Sequence, residues 1–257
     1  RALSAVSPDD PAAFVLAIAV LFARIGGVFL IAPGLSSMRA PVQVRLFLAL
    51  TVTLALAPIL VGDIAIEIAP LTPAALTAVL AVETATGLMI GLLARVLFMA
   101  LQTLAVAVAN AIGLAGIPGV PFDTDEPAQA AANIFTATAL TILFVSDLHY
   151  EILRAVVGSY DVLSAGAVLN TQDALIAVSD KFGEAFIIAL RLAAPFMIYA
   201  VIINFAVGLT TKLTPNLPVF FVALPVITAG GLIVMALVIR EMMFAFRDAL
   251  AVLLVNL

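Results

Sequence analysis

Three apolar runs in this chain are about twice as long as a membrane crossing needs. They extend from Ala74 to Ile112, from Asp173 to Leu213 and from Val219 to Leu257. A helix rises about 1.5 Å per residue, so about 20 residues cross the hydrocarbon. Runs of this length either bend or continue beyond it. Ionisable residues also lie well inside them: Glu83, Arg95, Glu184 and Arg191. An ionised group at the bilayer centre costs about 2.5–3.5 kcal/mol on insertion scales. These side chains therefore face protein, water or headgroups.

Composition fixes the class. The chain is 65% hydrophobic and 11% charged, where soluble domains carry roughly 45–50% and about 25%. The fold class is all-α: a polytopic helical membrane protein of about six long helical blocks, surrounded by lipid, by other hydrophobic subunits, or by both. Cysteine is absent, which removes disulfides, thiolate metal sites and cysteine nucleophiles. A net charge of −5 with 11 basic residues argues against a nucleic-acid partner. With no Trp and three Tyr, the aromatic belt common at membrane interfaces is thin.

The other three blocks run from Ala12 to Ile31, Val42 to Val61 and Ala128 to Val157. Thr72 is placed to cap the third block, with Pro73 in its first helical position. Asp173 is placed to cap the fifth, and Pro215 and Pro218 break the chain before the sixth. The stretch 158–173 reads as a loop. No polar stretch is long enough for a separate soluble domain, so residues 1–257 read as one hydrophobic helical unit. The acidic N-terminal stretch does not have the pattern of a cleaved signal peptide. Basic residues are distributed too evenly to set an orientation.

Signals for chemistry are sparse. The single histidine, His149, sits among Asp147, Glu151 and Arg154, whose spacing places them on one face of a solvated helix end. One histidine does not make a metal site, and no nucleophile, metal or phosphate-loop motif occurs. Neither a catalytic residue nor a cofactor is expected. Gly87 and Gly91 are spaced to let two helices approach closely. Arg24 and Arg45 stand in apolar runs where arginine is expensive. Each either snorkels at a helix end or pairs with an acid of this or another subunit.

The stretches RIGGVFLIAPG, APVQVRLFLAL, ETATGLMIGLLAR (Glu83 to Arg95) and NFAVGLTTKLTPNLPVFFVALP (Asn204 to Pro225) resemble, in order and spacing, the family of flagellar biosynthetic protein FliR and its virulence-secretion relatives. The resemblance covers most of the chain. It implies a component of a type III export gate in the bacterial inner membrane, at the flagellar basal body. One copy would join several copies of two smaller membrane proteins, and further export-apparatus subunits, in a closed helical ring that passes unfolded proteins. Much of such an assembly stands above the bilayer plane, where partner subunits replace lipid. The Arg24 to Arg45 stretch is nearer the flagellar branch.

The resemblance also gives a place to GLAGIPGVPFDTDEP, residues 113–127, which holds three glycines, three prolines and three acids. In the family the loop after the third block lies inside the ring and obstructs the pore. The expected plug residues are Gly113, Gly116, Ile117, Pro118, Gly119, Val120, Pro121 and Phe122. Glycine lets the backbone fold back, proline removes freedom and a donor, and Ile117, Val120 and Phe122 form an apolar tip able to seal by dewetting. Asp123, Asp125 and Glu126 face a wetter vestibule or begin the next helix. An ordinary surface loop is the other reading. The expected polar assembly contacts are Arg24, Arg45, Glu83, Arg95 and Arg191. Two rivals remain. One is a secondary transporter using Glu83, Arg95 and Arg191 as a relay. The other is an intramembrane enzyme centred on Asp147, His149 and Glu151.

Overall fold

The computed structural model describes residues 11–34, 41–69, 71–113, 126–167, 171–214, 216 and 219–255. These form seven helices: α1 (Pro11–Ile31), α2 (Val42–Ile68), α3 (Pro73–Ala111), α4 (Glu126–Val145), α5 (His149–Val162), α6 (Thr171–Leu213) and α7 (Val219–Val255). Five of them, all but α4 and α5, are long and apolar enough to cross a membrane. No strand occurs among the described residues. In hydrocarbon every backbone N–H and C=O must be paired within its own segment, and helices do this without partners. That constraint carries α2, α6 and α7 through Pro58, Pro195 and Pro225.

Threonine follows the same logic. Thr53, Thr84, Thr86, Thr136 and Thr210 each donate their hydroxyl to the carbonyl four residues earlier. No hydroxyl of this set is left without an acceptor in an apolar setting. Thr72 accepts from the Ala75 amide at 3.3 Å, the cap expected ahead of Pro73.

Three boundaries differ from the sequence reading. α2 continues beyond Val61, where the second block was read to end, to Ile68 and so includes Asp63 and Glu67. The fourth block is two helices, interrupted at residues 146–148, where Asp147 takes a left-handed φ of 58°. Aspartate tolerates that conformation better than most residues. Asp147 therefore precedes α5 and does not share a face with Glu151 and Arg154, which pair with each other at 2.7 Å on an exposed surface. The stretch read as a loop from residue 158 is helical up to Val162. Ile152, Val156 and Tyr160, four apart, lie along the inner side of this short helix, while Tyr150, Arg154 and Asp161 are exposed. Pro215 and Pro218 lie outside the described residues.

The chain forms two compact units. The first comprises residues 1–96, 147–181 and 253–257, the second residues 97–146 and 182–252. In the first, α1 and α3 cross through glycine. A Cβ added at Gly27 would stand 2.6 Å from the Thr84 carbonyl oxygen, and one at Gly91 would stand 2.9 Å from that of Val28. One at Gly87 would collide with the Arg24 carbonyl oxygen. The close seam that the Gly87–Gly91 spacing allowed is therefore present, with α1 as its other side. In the second unit, Phe98 meets Phe246 edge-on at 5.5 Å. Tyr199 on α6 donates to the Ile227 carbonyl of α7 at 2.6 Å. Gly113 ends α3 with φ 77°, and Ile112 fills the space that a side chain at Gly231 would take.

Many large side chains on α6 face outward, among them Phe186, Ile198, Val201 and Phe205. Such a surface is stable only against lipid or apolar protein.

The seam makes a direct prediction. Gly87→Ala forces two helix backbones apart and is expected to destabilise the detergent-solubilised chain by about 1–3 kcal/mol. Gly26→Ala, one position from Gly27 but with nothing within 4 Å of the added carbon, is expected to hold or raise stability, because alanine favours helix by up to about 1 kcal/mol. Thermal unfolding of the two variants side by side tests this. Equal midpoints would remove the seam argument.

Candidate functional site

Among the described residues Arg24 is the largest fully buried side chain, at 0% exposure, and Glu83 is equally buried. The α1–α3 seam brings them together, because Gly27 and Gly87 admit the close backbone approach that this contact needs. The pairing is bidentate. Arg24 Nε donates to Glu83 Oε2 at 2.6 Å, and Nη2 donates to Oε1 at 2.8 Å. This fork-on-fork geometry is the strong form of a guanidinium–carboxylate contact.

α5 completes the shell. Arg24 Nη1 donates to Ser159 Oγ at 2.8 Å, and Nη2 also donates to the Leu163 carbonyl at 2.9 Å. Ser159 passes its own proton to the Val156 carbonyl. The Tyr160 ring lies 3.6 Å below the guanidinium carbon, a cation–π contact, and its hydroxyl donates to Glu83 Oε2 at 3.2 Å. Burial pushes the Tyr160 phenol well above its ordinary pKa, so it stays a donor. The network is close to complete, which is the condition under which a buried ion pair is tolerated.

Sequence reading found Arg24 and Glu83 as costly charges. Of the two partners open to Arg24, an acid of this chain or of another subunit, the structure contains the first. Sequence reading missed Ser159, Tyr160 and the Leu163 carbonyl because it assigned their stretch to a loop. The i, i+4, i+8 spacing of Ile152, Val156 and Tyr160 was the signal available. The other expected polar positions are not in this network. Arg45 is half-buried on α2, and its Nε has no hydrogen-bond partner. Arg95 is exposed on α3 and Arg191 is exposed on α6 in the second unit. Glu83 is thus neutralised locally by Arg24, which weighs against its use in a relay. His149 stacks on Tyr150 at 4.2 Å. No group of three metal-ligating side chains occurs among the described residues. Gly113 is described, whereas Gly116, Ile117, Pro118, Gly119, Val120, Pro121 and Phe122 lie outside the described residues.

Five membrane-length helices define a polytopic helical membrane protein, and its first unit holds a buried, internally neutralised ion pair. Comparison with known proteins narrows that class. The family described as "Bacterial export proteins, family 1" matches residues 15–252, and the chain belongs to that family, the FliR and type III export family that its motifs resemble. It is similar to the flagellar biosynthetic protein FliR of Caulobacter vibrioides, 28% identical over 90% of this chain and 91% of that protein. The protein of the same name from Escherichia coli K12 is 26% identical over 80% of this chain and 77% of its own length. The Yop proteins translocation protein T of Yersinia pestis is 27% identical over 63% and 62% respectively.

The network predicts an asymmetry between single and paired substitution. Arg24→Ala or Glu83→Ala leaves one buried charge unmatched and is expected to cost about 3–5 kcal/mol. Arg24→Met combined with Glu83→Met removes both charges and is expected to recover most of that loss. Unfolding midpoints in detergent, compared as a double-mutant cycle, test it. Additive losses would show that the two charges are not coupled.

Proposed function

We propose that the chain is a structural and gating subunit of the flagellar type III protein export channel in the bacterial inner membrane. The observation that carries this reading is the family match over residues 15–252, with a flagellar relative aligned along nine-tenths of both chains. In this reading it works with two smaller export-gate membrane proteins, several copies of each, and with further subunits of the apparatus. Unfolded flagellar proteins pass through the assembled pore at the basal body. The whole chain acts as one subunit with no separate soluble domain. It carries no catalytic residue and no cofactor, and the energy for export enters through other subunits.

Two features support the reading. The outward apolar faces of α6 and α7 suit a protein whose environment is partly other hydrophobic subunits. Segment 113–122 has the chemistry of a plug: Gly113, Gly116 and Gly119 for tight turns, Pro118 and Pro121 for stiffness, and Ile117, Val120 and Phe122 for a dewetting seal. Arg45, Arg95 and Arg191 serve as contacts outside the chain. Arg24 and Glu83 support assembly indirectly, by holding α1, α3 and α5 in place. The likeness to the Yersinia translocation protein favours, as a second reading, the corresponding subunit of a virulence secretion system.

Deleting the gene and scoring surface filaments and secreted protein separates these readings. Loss of filaments with normal growth is expected. Retained filaments with loss of another secreted set would favour the virulence reading. A nutrient or ion phenotype with secretion intact would overturn both. Within the first outcome, removing residues 116–122 is expected to leave the apparatus assembled and make the membrane leaky to small ions. A normal ion barrier in that variant would refute the plug assignment.

A further inference from the structure

An open groove of about 300 Å³ runs along the first unit where α1 and α2 meet. Its α1 side extends from Phe22 to Leu30, and its α2 side from Val42 to Ala49. The walls are hydrocarbon apart from Thr84, whose hydroxyl is already given to the Leu80 carbonyl, and Arg45. Gly26 forms part of the floor, and a Cβ built there meets nothing within 4 Å. The glycine leaves this part of the groove open.

Arg45 gives the groove a sign. Among the described residues no acid lines it, and the buried Nε of Arg45 has no hydrogen-bond partner. A buried donor of a charged group without an acceptor is expensive, and Arg24, the other arginine of this helix pair, has every guanidinium nitrogen engaged. Position supplies the rest. Arg45 lies in the first turn of α2, and the helix is then uncharged from Leu46 to Gly62, up to Asp63. That run is about 26 Å of helix at the usual rise, close to the roughly 30 Å of bilayer hydrocarbon. When α2 spans, Arg45 stands at phosphate depth, and the groove leads from it into the acyl region.

We infer that this groove binds an anionic phospholipid, its headgroup phosphate accepting from the Arg45 guanidinium and one acyl chain lying over Gly26 between α1 and α2. Charge complementarity selects the headgroup, as in other basic pockets between membrane helices. The apolar floor selects a chain in place of a free phosphate ion. The inference rests on the α1–α2 geometry alone and stands or falls separately from the role in export.

The test uses the full chain in detergent micelles, with native mass spectrometry against phosphatidylglycerol and phosphatidylcholine of identical acyl chains. Wild type is expected to retain one phosphatidylglycerol in preference by about fivefold, the factor one near-surface arginine supplies. Arg45→Gln is expected to abolish the preference while keeping residual binding of both lipids. Gly26→Leu puts a side chain into the floor, where its first carbon has nothing within 4 Å, and is expected to reduce retention of both with an unchanged unfolding midpoint. Equal retention of the two lipids by wild type, or a preference that survives Arg45→Gln, would overturn the inference. So would a Gly26→Cys variant of this otherwise cysteine-free chain that cross-links to another subunit of the native membrane complex and not to a lipid-borne thiol reagent.

Discussion

The buried pairing of Arg24 with Glu83 is the constraint around which the first unit is organised. An arginine inside an apolar helix is tolerated only if its donors find acceptors, and here each guanidinium nitrogen does. Satisfying them requires α1 and α3 at backbone contact and α5 folded over both. The glycines at 27, 87 and 91 follow from this requirement, since any side chain there would hold the carboxylate out of reach. Ser159 and Tyr160 follow as well, because α5 must present polar atoms at a place where a membrane protein would otherwise present hydrocarbon. A buried ion pair is weak evidence for net stability. Its effect here is specificity: one register of α1 on α3 satisfies the charges, and a helical turn of slippage would strand both.

The outer surface obeys a different rule. Phe205 is 74% exposed, Val201 69% and Leu237 74%, values that water would penalise heavily across so many neighbouring residues. Helices of 43 and 37 residues carry more apolar surface than one bilayer crossing accounts for. Membership of an export family makes the chain part of an apparatus with other subunits. The first unit thus holds a polar point inside it, while the long helices of the second carry an apolar exterior, the reverse of a soluble domain.

Much of this was legible in the residues. Apolar runs and their proline and threonine borders located α1, α2, α3, α6 and α7, because backbone satisfaction in lipid leaves helix as the one choice for such runs. The cost of isolated charges marked Arg24 and Glu83. Their mutual contact was not legible, because it depends on a crossing between helices separated by the whole of α2. The break at Asp147 was missed since apolar residues continue on both sides of it, and a left-handed φ at one aspartate has no hydropathy signature. The last turn of α5, from Gly158 to Val162, was taken for a loop because its residues are mostly polar or small and score poorly against long apolar neighbours. The family resemblance was carried by motif order, which composition alone could not supply.

The arrangement of acceptors around Arg24 also sets a schedule for biogenesis. The guanidinium is made at residue 24, its carboxylate at residue 83, and its last acceptors at residues 159 and 163. Synthesis runs from the N-terminus, so α1 enters the membrane with an unmatched charge and keeps an incomplete set of partners until α5 has emerged. The shell around Arg24 is completed only when a segment far along the chain returns to the first helix.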